Sequence, residues 1–93
     1  MQTFDQVVVE IAKERLRQDK KWGVQNHSNA MWLSILVEEV GEVSKEIADN
    51  WERKFYFDNT KDIEDRIKYH ENLKKELIQV AAVCVAWLEN YPH

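Results

Sequence analysis

Residues 74–90 read KKELIQVAAVCVAWLEN, and from Leu77 to Leu88 the segment is apolar nearly all round a helix, broken only by Gln79. Such a helix is buried on several sides. Just upstream, Asp62 with Arg66 and Glu64 with Lys68 stand four apart in the order that supports a helix. One helix is therefore expected over about Lys61–Asn90, stopped before Pro92. Its first half, Asp62 to Lys75, reads as a solvated helix. At 1.5 Å per residue it is roughly 45 Å long, too long for one small globule to enclose. Packing against a second copy is the simplest solution, as a homodimer or higher bundle. A 93-residue chain makes one domain, residues 1–93, with only a modest core of its own.

Two further helices precede it. Thr3 and Gln6 fit a capping box, opening a helix over about Phe4–Lys20. Its apolar face is expected from Phe4, Val7, Val8, Ile11, Ala12 and Leu16. Gly23 and the polar QNHSN stretch, residues 25–29, end it. The next starts near Ser28 or Asn29, both good caps. Leu33, Leu36, Val40, Val43 and Ile47 then fall on one stripe, to about Asn50. WERKFYF, residues 51–57, either continues this helix or forms an aromatic turn, and DNT, residues 58–60, is the break. With only two Gly and one Pro, the expected fold is all-α, a bundle of long antiparallel helices completed by oligomerisation.

The formal charge of −4 gives no overall footprint for duplex nucleic acid. Lys13, Arg15, Arg17, Lys20 and Lys21 form a local basic stretch, either a solvated face or one turned to phosphate. The lone Cys84 reads as a buried, inert thiol. The opening MQTFDQVVVE has no basic stretch followed by an apolar one, so no signal peptide is expected. The run from Leu77 to Leu88 is shorter than the about 20 residues a bilayer needs. The expectation is a cytoplasmic protein with no membrane partner.

Carboxylates carry the chemistry. In VEEVGEV, residues 37–43, the helical stripe places Glu39, Glu42 and Glu46 at its edge, with Glu38 farther out. Glu39 and Glu42, three apart, are neighbours. Two carboxylates held so close repel unless a cation lies between them or one is protonated. Gly41, costly inside a helix by about 1 kcal/mol, fits a close approach by a helix or ligand, or is merely tolerated. Glu76 stands at the mouth of the apolar run among Leu73, Val80 and Val83, where an unpaired carboxylate pays for its desolvation. Hard oxygen ligands suit Mg²⁺ or Mn²⁺.

VEEVGEV followed by KKELIQVAAV resembles the MazG-like nucleoside triphosphate pyrophosphohydrolases of the all-α NTP pyrophosphatase superfamily, in their short, single-domain phage and bacterial form. The likeness also takes in RLRQDKKWG, residues 15–23. It implies a Mg²⁺ site of a Glu-x-x-Glu pair on one helix and a Glu-x-x-Asp pair on the next. Glu39, Glu42 and Glu76 match three ligand positions, and Gln79 stands where the fourth is Asp. Glu38 matches a glutamate that often precedes the pair. The resemblance also implies dimers or tetramers.

The implied reaction cleaves a nucleoside triphosphate, (d)NTP, between the α and β phosphates, giving (d)NMP and pyrophosphate. Glu38, Glu39 and Glu42 are the candidate catalytic carboxylates; Glu39 or Glu42 would orient or deprotonate the water. Arg17, Lys21 and Lys54 are candidates for balancing the phosphates. Trp22, His27 and Trp32 are candidates for holding the base, although a tryptophan is more often core or interface. Gln79 also admits two other outcomes: a nucleotide-binding sensor without turnover, or a helical protein-interaction module.

Overall fold

The first helix, α1 (Phe4–Trp22), begins on the expected capping box. The Thr3 hydroxyl accepts the Gln6 N–H at 3.2 Å, and the Gln6 side chain accepts the Thr3 N–H at 2.9 Å. It ends at Gly23, whose φ of 73° suits glycine and whose N–H donates to the Asp19 carbonyl at 2.8 Å. The second helix, α2 (Asn29–Asn50), is capped by Ser28, whose hydroxyl accepts the Met31 N–H at 3.2 Å. The third, α3 (Thr60–Glu89), has 30 residues, close to the expected span. This computed structural model describes residues 1–50 and 60–91, with the side chains of the second stretch described from Ile63 onward. Segment 51–57, most of the 58–60 break, Lys54, Pro92 and the Asp62 end of the Asp62–Arg66 pair lie outside the described residues. Among them the only regular elements are these three helices, and no helix is long and apolar enough to cross a membrane.

The two shorter helices each pack along α3 and not against each other. The α2–α3 seam is apolar. Trp32, Val83 and Ala86 are buried there, with Ile35, Leu36 and Trp87 packed around them. The Trp87 indole N–H donates to Asn29 Oδ1 at 3.0 Å, tying the start of α2 to the end of α3. The α1–α3 seam is polar. Arg15 forks onto Glu89, Nε to Oε1 at 3.1 Å and a terminal nitrogen to Oε2 at 3.0 Å. Nearer the other end, Lys74 reaches Glu10 at 3.0 Å. No α1 residue is fully buried.

Several expectations are corrected here. The inward stripe of α2 is not Leu33–Leu36–Val40–Val43–Ile47. It runs through Trp32, Ile35, Leu36, Glu39, Val43 and Glu46, while Leu33, Val40 and Ile47 are exposed. Trp32 decides the rotation: burying the largest side chain of α2 turns the inward face by about 70°, less than one residue's 100°. The apolar face of α1 is likewise open. Phe4, Val8 and Leu16 are exposed, and the half-buried side is Val7, Glu10, Ile11, Glu14, Arg15 and Gln18. On α3 burial falls on Ala82, Val83 and Ala86, whereas Leu77 and Leu88 are exposed. Cys84 is half-buried rather than buried. Among the described residues nothing approaches within 4 Å of where a Cβ on Gly41 would sit, so none of them makes the close approach expected there.

Candidate active site

Because α1 and α2 do not touch, a cleft of about 400 Å³ opens between them above α3. That is within the range of small-molecule sites. Arg17, Gln18, Lys21 and Trp22 line it from α1, Trp32, Ile35 and Glu39 from α2, and Gln79, Val83 and Ala86 from α3. Gln25, between α1 and α2, completes the wall.

The acidic end of the cleft follows from two helical repeats. Glu76, Gln79, Val83 and Ala86 recur at intervals of three and four, so they share one face of α3. Glu39 lies on the inward stripe of α2, opposite. The two meet at Gln79. Of the two orientations of its amide, the one that satisfies its surroundings places Nε2 3.1 Å from both Glu39 Oε2 and Glu76 Oε2. Burial pushes the Glu39 carboxyl above its ordinary range, and the charges of Glu76, Glu42, Glu38 and Glu14 push it the same way. The Gln79 N–H groups act oppositely, stabilising the ionised carboxylates.

Of the carboxylates expected in the site, Glu39 lines the cleft and Glu76 joins it through Gln79. Glu38 and Glu42 are exposed and do not line it. Glu42 is thus not at the half-buried edge expected for it: it stands about 60° farther from Trp32 round the helix than Glu39 does, and is exposed. Among the described residues no three Asp, Glu, His or Cys side chains come together at metal-ligand spacing. The donor chemistry still fits a hard cation. Mg²⁺ is commonly held by only one or two carboxylates together with waters and substrate phosphates. Glu39 and Glu76 supply two, and the Gln79 amide carries an acceptor oxygen.

The basic end is built by α1. Arg17 is gripped by Glu14: Nε lies 2.8 Å from both carboxylate oxygens, and a terminal nitrogen is 2.7 Å from Oε2. This hydrogen bonding raises the guanidinium pKa further, leaving Arg17 a permanent cation. Glu14 is 10% exposed and Arg17 53%, so the carboxylate is the anchor and the guanidinium the presented group. Lys21 Nζ sits 4.8 Å from the centre of the Trp22 ring, a cation–π pair on the same wall. Trp32 is 2% exposed, and its indole N–H is buried without a hydrogen-bond partner among the described residues. His27 meets Trp32 edge-on, with ring centres 4.9 Å apart. It packs behind the cleft rather than lining it.

The structure therefore gathers Arg17, Lys21, Trp22, Trp32, Glu39 and Gln79 in one cleft, with Glu76 and His27 beside it. Glu14, Gln18 and Gln25 were missed by sequence reasoning. Glu14 had a signal, three residues before Arg17 on one helix; the glutamines had none. No family model matches this chain, and neither a curated protein nor a solved structure matches it.

Proposed function

We propose that this protein is a Mg²⁺-dependent nucleoside triphosphate pyrophosphohydrolase, taking (d)NTP to (d)NMP and pyrophosphate in the cleft between α1 and α2. The observation that carries the reading is the composition of that cleft, with two cations, two tryptophans and a crowded carboxylate drawn together from separate helices. Polyphosphate requires the cations, a base requires flat apolar surface, and hydrolysis requires a carboxylate. The residue pattern resembling MazG-like enzymes points the same way.

In this reading Arg17, braced by Glu14, and Lys21 hold phosphate oxygens, while Trp22, 60% exposed, offers surface to the base and the buried Trp32 supports the cleft from beneath. Glu39 accepts the proton of the attacking water as the α–β phosphoanhydride breaks. It is preferred to Glu42 because it lines the cleft, whereas Glu42 is exposed outside it. Glu39 and Glu76, with the amide oxygen of Gln79, would hold Mg²⁺ or Mn²⁺, which when bound neutralises phosphate oxygens and lowers the pKa of a bound water. Glu38 and Glu42 add negative charge beside it. The open apolar faces of α1 and α2, with Phe4 81%, Leu16 69% and Val37 60% exposed, support a homodimer or homotetramer. A cytoplasmic location belongs to the same proposal.

Pyrophosphate release from a panel of dNTPs with Mg²⁺ or Mn²⁺, comparing wild type with Glu39→Gln, tests the reading. Turnover lost in the variant is expected. A second reading, a sensor that binds nucleotide without turnover, is favoured by Gln79, which already satisfies both carboxylates. Nucleotide- and metal-dependent thermal stabilisation without pyrophosphate release would select it.

A further inference from the structure

We propose that the Gln79 side chain is a reversible clamp: without a cation its Nε2 ties Glu39 of α2 to Glu76 of α3, and when a divalent cation arrives the amide turns over to present Oε1 instead. This rests on the metal-dependent reading above and assigns Gln79 a role of its own within it.

Three observations carry the inference. The first is the pair of 3.1 Å contacts from one nitrogen to two carboxylates on different helices. The second is that the opposite orientation occupies the same space, and in it the amide oxygen faces only acceptors. Three oxygens facing one another become favourable when a cation lies among them or when one carboxyl is protonated, and at neutral pH with metal present the cation is the partner the test supplies. The third is chemical. A primary amide carries two donors and an acceptor on one carbon, so a half-turn about its last torsion exchanges them while the heavy atoms stay nearly in place. A carboxylate at this position has no donor to offer. It would add a third negative charge to a spot where Glu39 already lies close to Glu76 and feels Glu42 and Glu38.

The clamp has two consequences. The acidic end of the cleft stays assembled without metal, because the amide supplies the positive edge that an ion would otherwise supply. Metal binding must in turn displace two hydrogen bonds and gains only a neutral ligand, so affinity is lower than a third carboxylate would give.

The test uses the full chain as wild type, Gln79→Glu and Gln79→Leu, each treated with EDTA and then titrated with MgCl₂. Thermal unfolding and the ¹⁵N–¹H signals of the Gln79 side-chain amide are followed, and pyrophosphate release is assayed separately. The expected result is a Gln79 amide protected from solvent exchange without metal, its signals shifting as Mg²⁺ is added. Gln79→Glu should unfold several degrees lower without metal, gain more from Mg²⁺ than wild type and bind it several-fold more tightly. Gln79→Leu should also unfold lower and gain less. Equal metal-free midpoints for all three proteins would overturn the clamp. Amide signals that stay fixed while Mg²⁺ stabilises the protein would overturn the turnover. The functional reading fails separately: an amide that responds to Mg²⁺ in a protein releasing no pyrophosphate supports the clamp and ends the hydrolase. Release with an unresponsive amide does the reverse.

Discussion

Replacing Arg15 with alanine should loosen α1 from α3, because this helix has no buried residue to hold it in place. The Arg15 guanidinium is 12% exposed and makes two hydrogen bonds to Glu89, with further contacts to Gln18 and Asp19 on its own helix. A hydrogen bond to a charged group contributes about 1.5–3 kcal/mol when shielded. Glu89 is 52% exposed, however, so water screens the pair and takes the Glu89 carboxylate back when Arg15 is removed. About 1–2 kcal/mol is left for Arg15→Ala, a fall of roughly 4–16 °C in Tm for a domain this small. Denaturant unfolding of Arg15→Ala, Glu89→Ala and the double variant, at one protein concentration, should give a coupling energy of about 1 kcal/mol. A functional signature accompanies it. Arg17, Lys21 and Trp22 ride on α1, whereas Glu39, Glu76 and Gln79 sit on α2 and α3. In the proposed enzyme Arg15→Ala should therefore raise KM for the nucleotide more than it lowers kcat. A coupling energy below about 0.3 kcal/mol, the noise of such cycles, would refute the claim that this fork docks α1.

Acid should act on the same seam. The Glu89 carboxyl is held below its ordinary 4.5 by hydrogen bonding from Arg15, and that of Glu10 by hydrogen bonds first from Gln2 and then from Lys74. Groups depressed in the folded state contribute stability above their unfolded pKa and lose it as pH falls through the folded one. Stability should therefore drop below about pH 4.5, less steeply in Arg15→Ala, as a urea midpoint series would show. Glu39 has the opposite sign. Raised by burial and like charge, it costs stability at neutral pH in the metal-free protein and is relieved as pH falls through its raised pKa. Metal-free Glu39→Gln should consequently be no less stable than wild type at pH 7, although inactive; a lower Tm would contradict this. Arg17→Ala should raise KM about tenfold, the effect of roughly 1.4 kcal/mol, while Glu14→Gln should have a smaller effect by freeing the guanidinium to wander. Val40→Glu, on the open face of α2, should weaken self-association in sedimentation without shifting the far-UV spectrum if a second copy covers that face.

What the sequence discloses depends on whether the information is local. Thr3, Gln6, Gly23 and Ser28 act within one turn, and the helix boundaries they set agree with the structure to within two residues. The choice of inward face is not local. Leu33, Val40 and Ile47 form as regular a stripe as Trp32, Leu36, Glu39 and Val43, and only the partner helix decides between them. An apolar tally favours the first stripe, whereas the size of Trp32 favours the second. Burying Trp32 carries Glu39 inward, while Glu42, about 60° farther round the helix, stays exposed. The same uncertainty hid the polar character of the α1–α3 seam, because Arg15 and Glu89 are 74 residues apart and neither has a sequence feature marking it as a partner of the other.

The site and the weakness of the fold have a common origin. A cleft between α1 and α2 exists only because neither helix buries its apolar face against the other. Phe4, Val8 and Leu16 stay open on one, and Leu33, Val37 and Val40 on the other. Closing α1 onto α2 would fill the space that Arg17, Lys21, Glu39 and Gln79 line and would still leave Val8 and Leu16 outside, in the groove they form with Val85 on the other side of α1. Keeping the cleft open thus leaves a small helical chain short of core, and the apolar surface left outside must be covered from elsewhere. The proposed self-association and the cleft would then be two results of one packing choice. A variant that becomes a stable monomer by burying α1 against α2 should lose nucleotide binding with it.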